Sequence, residues 1–253
     1  MGAEIEIQDV LVLGAGAAGL WCAEVAARGG RDVVVLEKVS RTGTKVLASG
    51  GTRCNITTTL GPTEAGRLFG TKGERFLRAG FRNLPPADVR ARFEAWGVPT
   101  DEAPLEKVFP SSGNAKDVRD ALEAAARGAG ARIQLDDGAV AVQRDGDAWL
   151  VRTAGGGSWR ARALVLAVGG KSYPKTGTTG DGYAWLRDLE LGVVDPVPAL
   201  VPLTSGASWV HDLTGIAWQE GEARLEDASG RVLERRRRPI MFTHRGLSGP
   251  APM

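Results

Sequence analysis

The sequence predicts an α/β protein built on a parallel sheet, and three observations near its amino terminus carry this prediction. Short apolar runs at residues 10–13 and 33–36 are typical of strands that are covered on both faces. Between them, a glycine-rich turn leads into a helical pattern at 17–28, which Gly29 and Gly30 end. Strand, helix and strand within about 30 residues make a βαβ unit, whose right-handed crossover places the two strands parallel.

The helices and loops that follow are predicted from periodicity and end signals. The segment at 38–61 is polar and rich in glycine, which predicts a long loop or a short helix, and a loop that long in a compact domain is usually functional. Helical patterns resume at 74–82, 87–96 and 116–127, and Asn114 is predicted to cap the last of them.

Strands return in the middle of the chain. Residues 133–135, 139–143 and 149–153 alternate between apolar and polar side chains, which predicts a three-stranded meander. Asp-Gly pairs at 137–138 and 145–146 supply its turns.

The residue pattern of the chain changes near Val193, after which prolines stand at positions 196, 198 and 202. We predict one domain over 1–192 and a β-rich segment over 193–253. About sixty residues are too few to form a well-buried hydrophobic core by themselves. We therefore interpret this segment as the start of an inserted domain that is cut short.

Composition excludes several classes of protein. With 253 residues, 43% of them hydrophobic and 25% charged, the chain is neither disordered, collagenous nor a coiled coil. Cys22 and Cys54 form no CxxC pair and no metal-binding spacing, which favours a reducing compartment and predicts no metal site. Residues 1–6 contain no basic region of a signal peptide, and no segment suits a membrane span, so we predict a cytoplasmic protein without a membrane partner.

The turn Gly14-Ala15-Gly16-Ala17-Ala18-Gly19 is a GxGxxG motif placed between a predicted strand and a predicted helix. Gly14 permits the tight turn, Gly16 lets the backbone approach a pyrophosphate, and Gly19 lets helix and strand pack closely. The helix N-terminus adds free N–H groups and a partial positive charge. The motif therefore predicts a dinucleotide site. The alternative is a glycine-rich turn in an α/β protein that binds no nucleotide.

Glu37 ends the second strand of this unit. A carboxylate there accepts hydrogen bonds from both ribose hydroxyls of an adenosine and repels a 2′-phosphate. FAD and NAD fit this site, and NADP does not.

A longer pattern points to FAD. It comprises Gly14, Gly16, Gly19, Ala23, Gly30, Val33 and Glu37. In these positions the chain resembles the FAD-binding, Rossmann-like unit of the two-dinucleotide-binding-domain flavoproteins. The apolar strand at 163–168, which ends at Gly169-Gly170, is similar to their second glycine segment.

Five further motifs resemble the BaiN/RdsA (YhiN-type, "aminoacetone oxidase") family of FAD-dependent oxidoreductases. They are residues 49–57 (SGGTRCNIT), 108–111 (VFPS), 177–182 (GTTGDG), 198–203 (PALVPL) and 242–250 (FTHRGLSGP). The resemblance implies an FAD domain interrupted by an inserted β-barrel and a small helical domain. This chain ends inside the insert, so we expect the segment that closes over the flavin to be missing.

The resemblance also implies which residues lie near the cofactor after Glu37. They are Lys38, Lys45, Gly50, Gly51, Arg53, Cys54 and Asn55, together with Gly169 and Gly170. Val140 matches the strand position whose backbone meets adenine in such flavoproteins; the alternative is a core valine.

Catalytic candidates are few. Lys45 is our candidate for the cation near flavin N1, and a solvated lysine is the alternative. Cys54 has no second cysteine nearby in sequence, so it cannot form the dithiol relay of disulfide reductases. It is either a proton donor or a small buried residue, and we favour the second interpretation. His211 and His244 suit proton donation at neutral pH, although a structural role is favoured for both. The run at 235–238 is predicted to be a solvated strand edge, with RNA phosphates as the alternative partner.

No second GxGxxG follows a strand. Residues 177–182 precede a helical stretch at 183–189, which Asp181 is predicted to cap. NAD(P)H, if it is used, is therefore expected to dock transiently over the flavin.

These observations predict an FAD-dependent oxidoreductase. The family resemblance implies reduction of a polarised C=C bond, in uridine of RNA or in a small enone, with NAD(P)H as electron source. Oxidation of amines by O₂ is the alternative flavin chemistry. A catalytically silent nucleotide-binding or RNA-binding module is the alternative of another class, and an NAD-linked dehydrogenase without flavin ranks third.

Overall fold

The computed structural model describes residues 5–253, so the first four of the residues 1–6 on which the signal-peptide prediction rests lie outside it. The described residues divide into two compact units, the first ending at Val193 and the second comprising Val194–Met253. The strands of the first unit are β1 (Ile7–Leu13), β2 (Val33–Leu36), β3 (Thr57–Thr58), β4 (Thr100–Ala103), β5 (Lys107–Pro110), β6 (Arg132–Gln134), β7 (Ala139–Asp145), β8 (Ala148–Thr153) and β9 (Ser158–Leu166). Its helices are α1 (Ala17–Arg28), α2 (Thr44–Ala48), α3 (Pro62–Arg67), α4 (Gly70–Asn83), α5 (Pro86–Ala95), α6 (Ala115–Gly128) and α7 (Asp181–Asp188).

The main sheet of the first unit has the strand order β6-β2-β1-β9-β8-β7. The strands from β6 to β9 in this order pair in parallel, and β8 and β7 continue the sheet in antiparallel fashion. Strands β1 and β2 are apolar in sequence because both faces of the sheet are covered, and Leu11 and Val34 are as buried as Val12 and Val35. The predicted α/β class with a Rossmann-like parallel sheet is confirmed.

One predicted strand pairing is wrong. The stretch at 133–135 belongs to β6, which pairs in parallel with β2, and the meander consists of β7, β8 and β9. Local alternation predicts that a segment is extended, but the choice of partner depends on which sheet edge is open to it. The Asp-Gly turn at 145–146 does join β7 to β8.

The predicted helices all form, with shifts at their ends. Helix α1 has the predicted bounds, and Asn114 caps α6 by accepting a hydrogen bond from the Lys116 amide at 3.0 Å. Helix α4 begins four residues before the predicted pattern, and the short helix α3 was not predicted.

Glycines set the distance between α1 and the sheet. The φ of Gly14 is +101°, and a Cβ added there would lie 2.6 Å from the Ala167 carbonyl oxygen at the end of β9. A Cβ on Gly19 would lie 1.9 Å from the Gly14 oxygen. Any side chain at either position therefore pushes the β1–α1 turn away from the strands.

The second unit is small and β-rich. It contains β10 (Leu203–Thr204), α8 (Ser208–Asp212), β11 (Ala217–Trp218), β12 (Glu222–Glu226), β13 (Val232–Arg237), β14 (Ile240–Thr243) and β15 (Gly246–Ser248). One sheet has the order β10-β15-β14-β11, and β12 pairs with β13. Val210, Ile240, Phe242 and Ala251 form its core. That this unit begins an inserted domain stays a prediction.

We expect Gly19→Ala to lower the free energy of unfolding by about 1–3 kcal/mol, because the added methyl group overlaps the Gly14 carbonyl. Urea denaturation followed by circular dichroism measures this. Gly16→Ala is the matched control, since a Cβ at Gly16 meets no described atom within 4 Å and its φ of −81° suits any residue. Equal destabilisation by the two substitutions would contradict the packing argument.

Candidate functional site

A cavity of about 600 Å³ lies at the carboxyl ends of the parallel strands. Gly14 and Gly16 follow β1, Glu37 and Lys38 follow β2, and Gly169 follows β9; all five line the cavity. This edge is where open α/β sheets bind ligands, because connections leave in opposite directions from neighbouring strands and open a crevice.

The N-terminus of α1 faces this cavity without obstruction. Gly16 is its N-cap, and a Cβ there would contact no described atom within 4 Å. The free amides of the first helical turn and the positive end of the helix dipole are thus available to an anion.

Glu37 is fixed beneath the glycine turn. Its Oε2 accepts a hydrogen bond from the Ala15 amide at 2.7 Å, and its Oε1 accepts one from the Val39 amide at 3.1 Å. A carboxylate has about four acceptor positions, so two remain for hydroxyl donors. The carboxylate is oriented by backbone amides that do not move with side-chain rotamers.

Lys38 reaches across the cavity mouth to a distant part of the chain. Its Nζ donates to Thr179 Oγ1 and to Asp181 Oδ2, both at 2.7 Å. Partial burial raises the pKa of Asp181, but the hydrogen bonds from Lys38 and Thr179 outweigh this and hold the pKa below its usual value. The prediction that Asp181 caps α7 is wrong: Gly180, at φ +85°, is the N-cap, and the carboxylate pairs with the ammonium instead.

Residues 172–181, which we call the strap, are held at a second point by Lys45. Lys45 Nζ donates to the Ser172 carbonyl oxygen at 2.8 Å, and partial burial lowers the pKa of this lysine. Thr176 and Thr178 of the strap line the cavity. Lys45 is therefore an exposed lysine of the cavity wall with one backbone acceptor, and its role as the cation near flavin N1 stays a prediction.

The segment after α2 brings Cys54 and Asn55 to the cavity. Cys54 is buried, and burial raises the pKa of its thiol, so it is protonated at neutral pH. Asn55 Oδ1 accepts a hydrogen bond from the Val108 amide at 3.2 Å. Arg53 points away, with its guanidinium 4.5 Å from the ring centroid of Phe109.

The structure sorts the residues predicted to bind the cofactor into two groups. Those that line the cavity are Gly14, Gly16, Ala18, Glu37, Lys38, Lys45, Cys54, Asn55 and Gly169. Those that do not are Ala15, Gly19, Gly50, Gly51, Arg53, Val140 and Gly170. Ala15 and Gly19 instead hold the glycine turn in place. The Ala15 amide donates to Glu37, and Gly19 allows the helix to pack closely against the Gly14 carbonyl.

Val140 is 56% exposed, so its interpretation as a core valine is wrong. It lies at an irregularity in the pairing of β7 with β8, between Ala139 and Ala141. Its neighbours Gly138 and Ala139 line the cavity. The residues of this segment that line the cavity are thus one and two positions before Val140, and contact of the Val140 backbone with adenine stays a prediction.

The other candidates lie in the second unit. His211 Nε2 is 2.7 Å from the Ser205 oxygen, which fits a structural role, and His244 is exposed. The run at 235–238 is exposed and includes the end of β13. Within residues 5–253, no group of three or more His, Cys, Asp or Glu side chains is placed to hold a metal ion, and no helix is long and apolar enough to cross a membrane.

Sequence reasoning missed the apolar wall of the cavity. It is formed by Trp21 of α1, Val46 of α2, Val89 and Phe93 of α5, and Val118 and Leu122 of α6. The four-residue spacing within α5 and within α6 marks an apolar helix face. That the two faces meet over one cavity depends on how the helices pack on the sheet.

Three curated relatives were compared with the chain. A protein of Haemophilus influenzae named ribosomal RNA dihydrouridine synthase is 30% identical over 97% of this chain and 60% of its own length. The Escherichia coli protein of the same name is 28% identical over 96% and 59%. A 3-dehydro-bile acid delta(4,6)-reductase of Clostridium scindens is 29% identical over 94% and 57%. The chain thus spans a little over half the length of these relatives.

The family resemblance that the sequence motifs indicated is confirmed. Residues 8–244 match the family described as the HI0933-like protein Rossmann domain. The turn, the acidic residue and the parallel strands described above all lie within this match. The chain belongs to the HI0933-like family, whose Rossmann domain it carries.

Proposed function

We propose that this chain is the FAD-binding region of an oxidoreductase that reduces a polarised C=C bond. The observation that carries the proposal is the cavity at the carboxyl ends of β1, β2 and β9, where an open helix N-terminus and the fixed Glu37 carboxylate face the same space. These are the two features that recognise the pyrophosphate and the ribose of an adenine dinucleotide.

The residues of the cavity fit FAD. Its volume of about 600 Å³ lies in the range of cofactor sites, and the apolar wall that includes Trp21 and Phe93 suits an aromatic ring system. FAD, when bound, supplies hydride transfer. The chain's own residues bind and orient: α1 offers amides to phosphate, Glu37 accepts from hydroxyls, and Lys45 keeps a positive charge in the wall.

The substrate class follows from the relatives' names, which specify dihydrouridine in ribosomal RNA and a reduced bile acid double bond. We therefore propose uridine of RNA or a small enone as substrate, with NAD(P)H docking transiently as electron donor. The free thiols of Cys22 and Cys54 support a cytoplasmic location.

Titration of the purified protein with FAD tests the proposal. We expect a 1:1 complex with an absorbance band near 450 nm, from the cofactor's own chemistry, and bleaching of that band by NADPH or NADH without air. Binding of NAD in place of FAD would indicate a dehydrogenase without flavin. A protein that takes up no FAD and binds RNA would be the catalytically silent module, and either result overturns the proposal.

We expect Glu37→Ala to weaken FAD binding by about 10- to 150-fold, since it removes hydrogen bonds to a charged acceptor. Isothermal titration calorimetry measures the change. Asp145→Asn is the control, because Asp145 is an acid that pairs with Arg160 and does not line the cavity. If Glu37→Ala binds FAD with unchanged affinity, the Glu37 carboxylate does not contact the cofactor.

We expect Lys38→Met to loosen the strap and to speed trypsin cleavage after Lys171 and Lys175 about two- to fivefold. A partly exposed ion pair of this kind contributes at most about 1 kcal/mol. Because the cleavage rate is proportional to the fraction of molecules in which the strap is open, losing the pair raises the rate only severalfold. Mass spectrometry of the FAD-free protein follows both cuts. Lys116→Met, which breaks the Lys116–Asp120 pair on α6, should leave the rate unchanged. Equal rates in wild type and Lys38→Met would show that Lys38 does not hold the strap.

A further inference from the structure

Helix α4 carries a stripe of positive charge on one side. Lys72, Arg75, Arg78 and Arg82 are spaced by three and four residues, so they lie along one face of the helix, and all four are exposed. The only acidic residue of this helix is Glu74. Within the described chain, α4 has no buried residue, although it packs beside α3.

The charge of this stripe is not neutralised within the described residues, where none of its four cations forms an ion pair. Other arginines of the same unit do: Arg90 pairs with Glu94 and Glu102, and Arg127 pairs with Glu123. Like charges three and four residues apart destabilise a helix. Binding of an anionic partner would therefore stabilise the helix by relieving this repulsion.

An exposed aromatic ring stands among these cations. Phe76 is 84% exposed and lies one turn from Lys72 and next to Arg75. Phe69, just before the helix, is 61% exposed. Cations that contact phosphates together with aromatic rings that stack on bases are the two parts of a single-stranded nucleic-acid surface.

The basic run at 235–238 lacks this combination. Arg236 pairs with Glu234 and Arg237 with Glu220, so much of its charge is balanced locally. The better candidate for RNA lies in the first unit.

We propose that the α4 face, defined as Lys72, Arg75, Phe76, Arg78 and Arg82, binds single-stranded RNA. The cations contact successive phosphates and the Phe76 ring stacks on a base. A membrane-surface helix would expose a continuous apolar face, whereas among the large apolar residues of α4 only Phe76 is exposed and Leu77 and Phe81 are partly buried. The proposal deepens the proposed function, on which it rests for RNA as the substrate class, and it places the RNA contact outside the cofactor cavity.

Fluorescence anisotropy with a labelled uridine-rich single-stranded RNA, measured from low to moderate salt, tests the proposal. With four phosphate contacts, we expect log K to fall with log salt at a slope of about −3. Arg75→Gln/Arg78→Gln should make the slope shallower by about 1.4. Phe76→Ala should weaken binding by about 5- to 150-fold at every salt concentration and leave the slope unchanged, and Phe76→Trp should restore it.

Arg235→Gln/Arg237→Gln is the matched control, since it removes two exposed arginines from β13 and should leave RNA binding unchanged. FAD binding is titrated on every variant, and RNA binding is measured with and without FAD, so that loss of one is distinguished from loss of the other. RNA affinity that is equal in wild type and in both α4 variants overturns the proposal. So does binding to phosphatidylserine vesicles without binding to RNA, or a dimer that Phe76→Ala dissociates.

Discussion

The hydrogen bond between the Ala15 amide and the Glu37 carboxylate is the constraint on which the site depends. It joins the turn after β1 to the end of β2 at 2.7 Å, and so fixes the relative position of the two strand ends. On its other side the turn lies so close to the residue after β9 that a Cβ on Gly14 would lie 2.6 Å from the Ala167 carbonyl oxygen. A carboxylate held by backbone amides keeps its orientation, which is what recognition of a ribose requires.

The three glycines of the turn differ in how closely other backbone atoms approach them. Gly14 and Gly19 are required by the packing of the protein itself, because a Cβ at either would overlap backbone atoms. At Gly16 the space beside the Cα is open and Gly16 lines the cavity, so packing does not require glycine there, and we propose that the missing side chain leaves room for a ligand. One motif thus combines two structural positions with one proposed binding position.

The rest of the cavity is assembled from segments far apart in sequence. Lys38 bonds to Asp181, 143 residues later, and Lys45 bonds to Ser172, 127 residues later. Both lysines leave the same polar segment after β2 and hold the same strap. Unlike Lys38, which pairs with Asp181, the four cations of the α4 stripe form no ion pair within the described residues and lie together on one helix face, which marks this face as a surface for a partner.

The sequence by itself determined the βαβ unit, the glycine turn, the acid at its second strand and the family to which the chain belongs. The first three follow from local chemistry: apolar runs, helix end signals and backbone conformations that only glycine adopts readily. The family was indicated by the resemblance of the sequence motifs. Only the tertiary structure decided that β6 pairs with β2, that Asp181 binds Lys38 instead of capping α7, and that Val140 lies outside the cavity. The physical reason is that each of these depends on which distant groups meet, and periodicity along the chain carries no information about a partner that is far away in sequence.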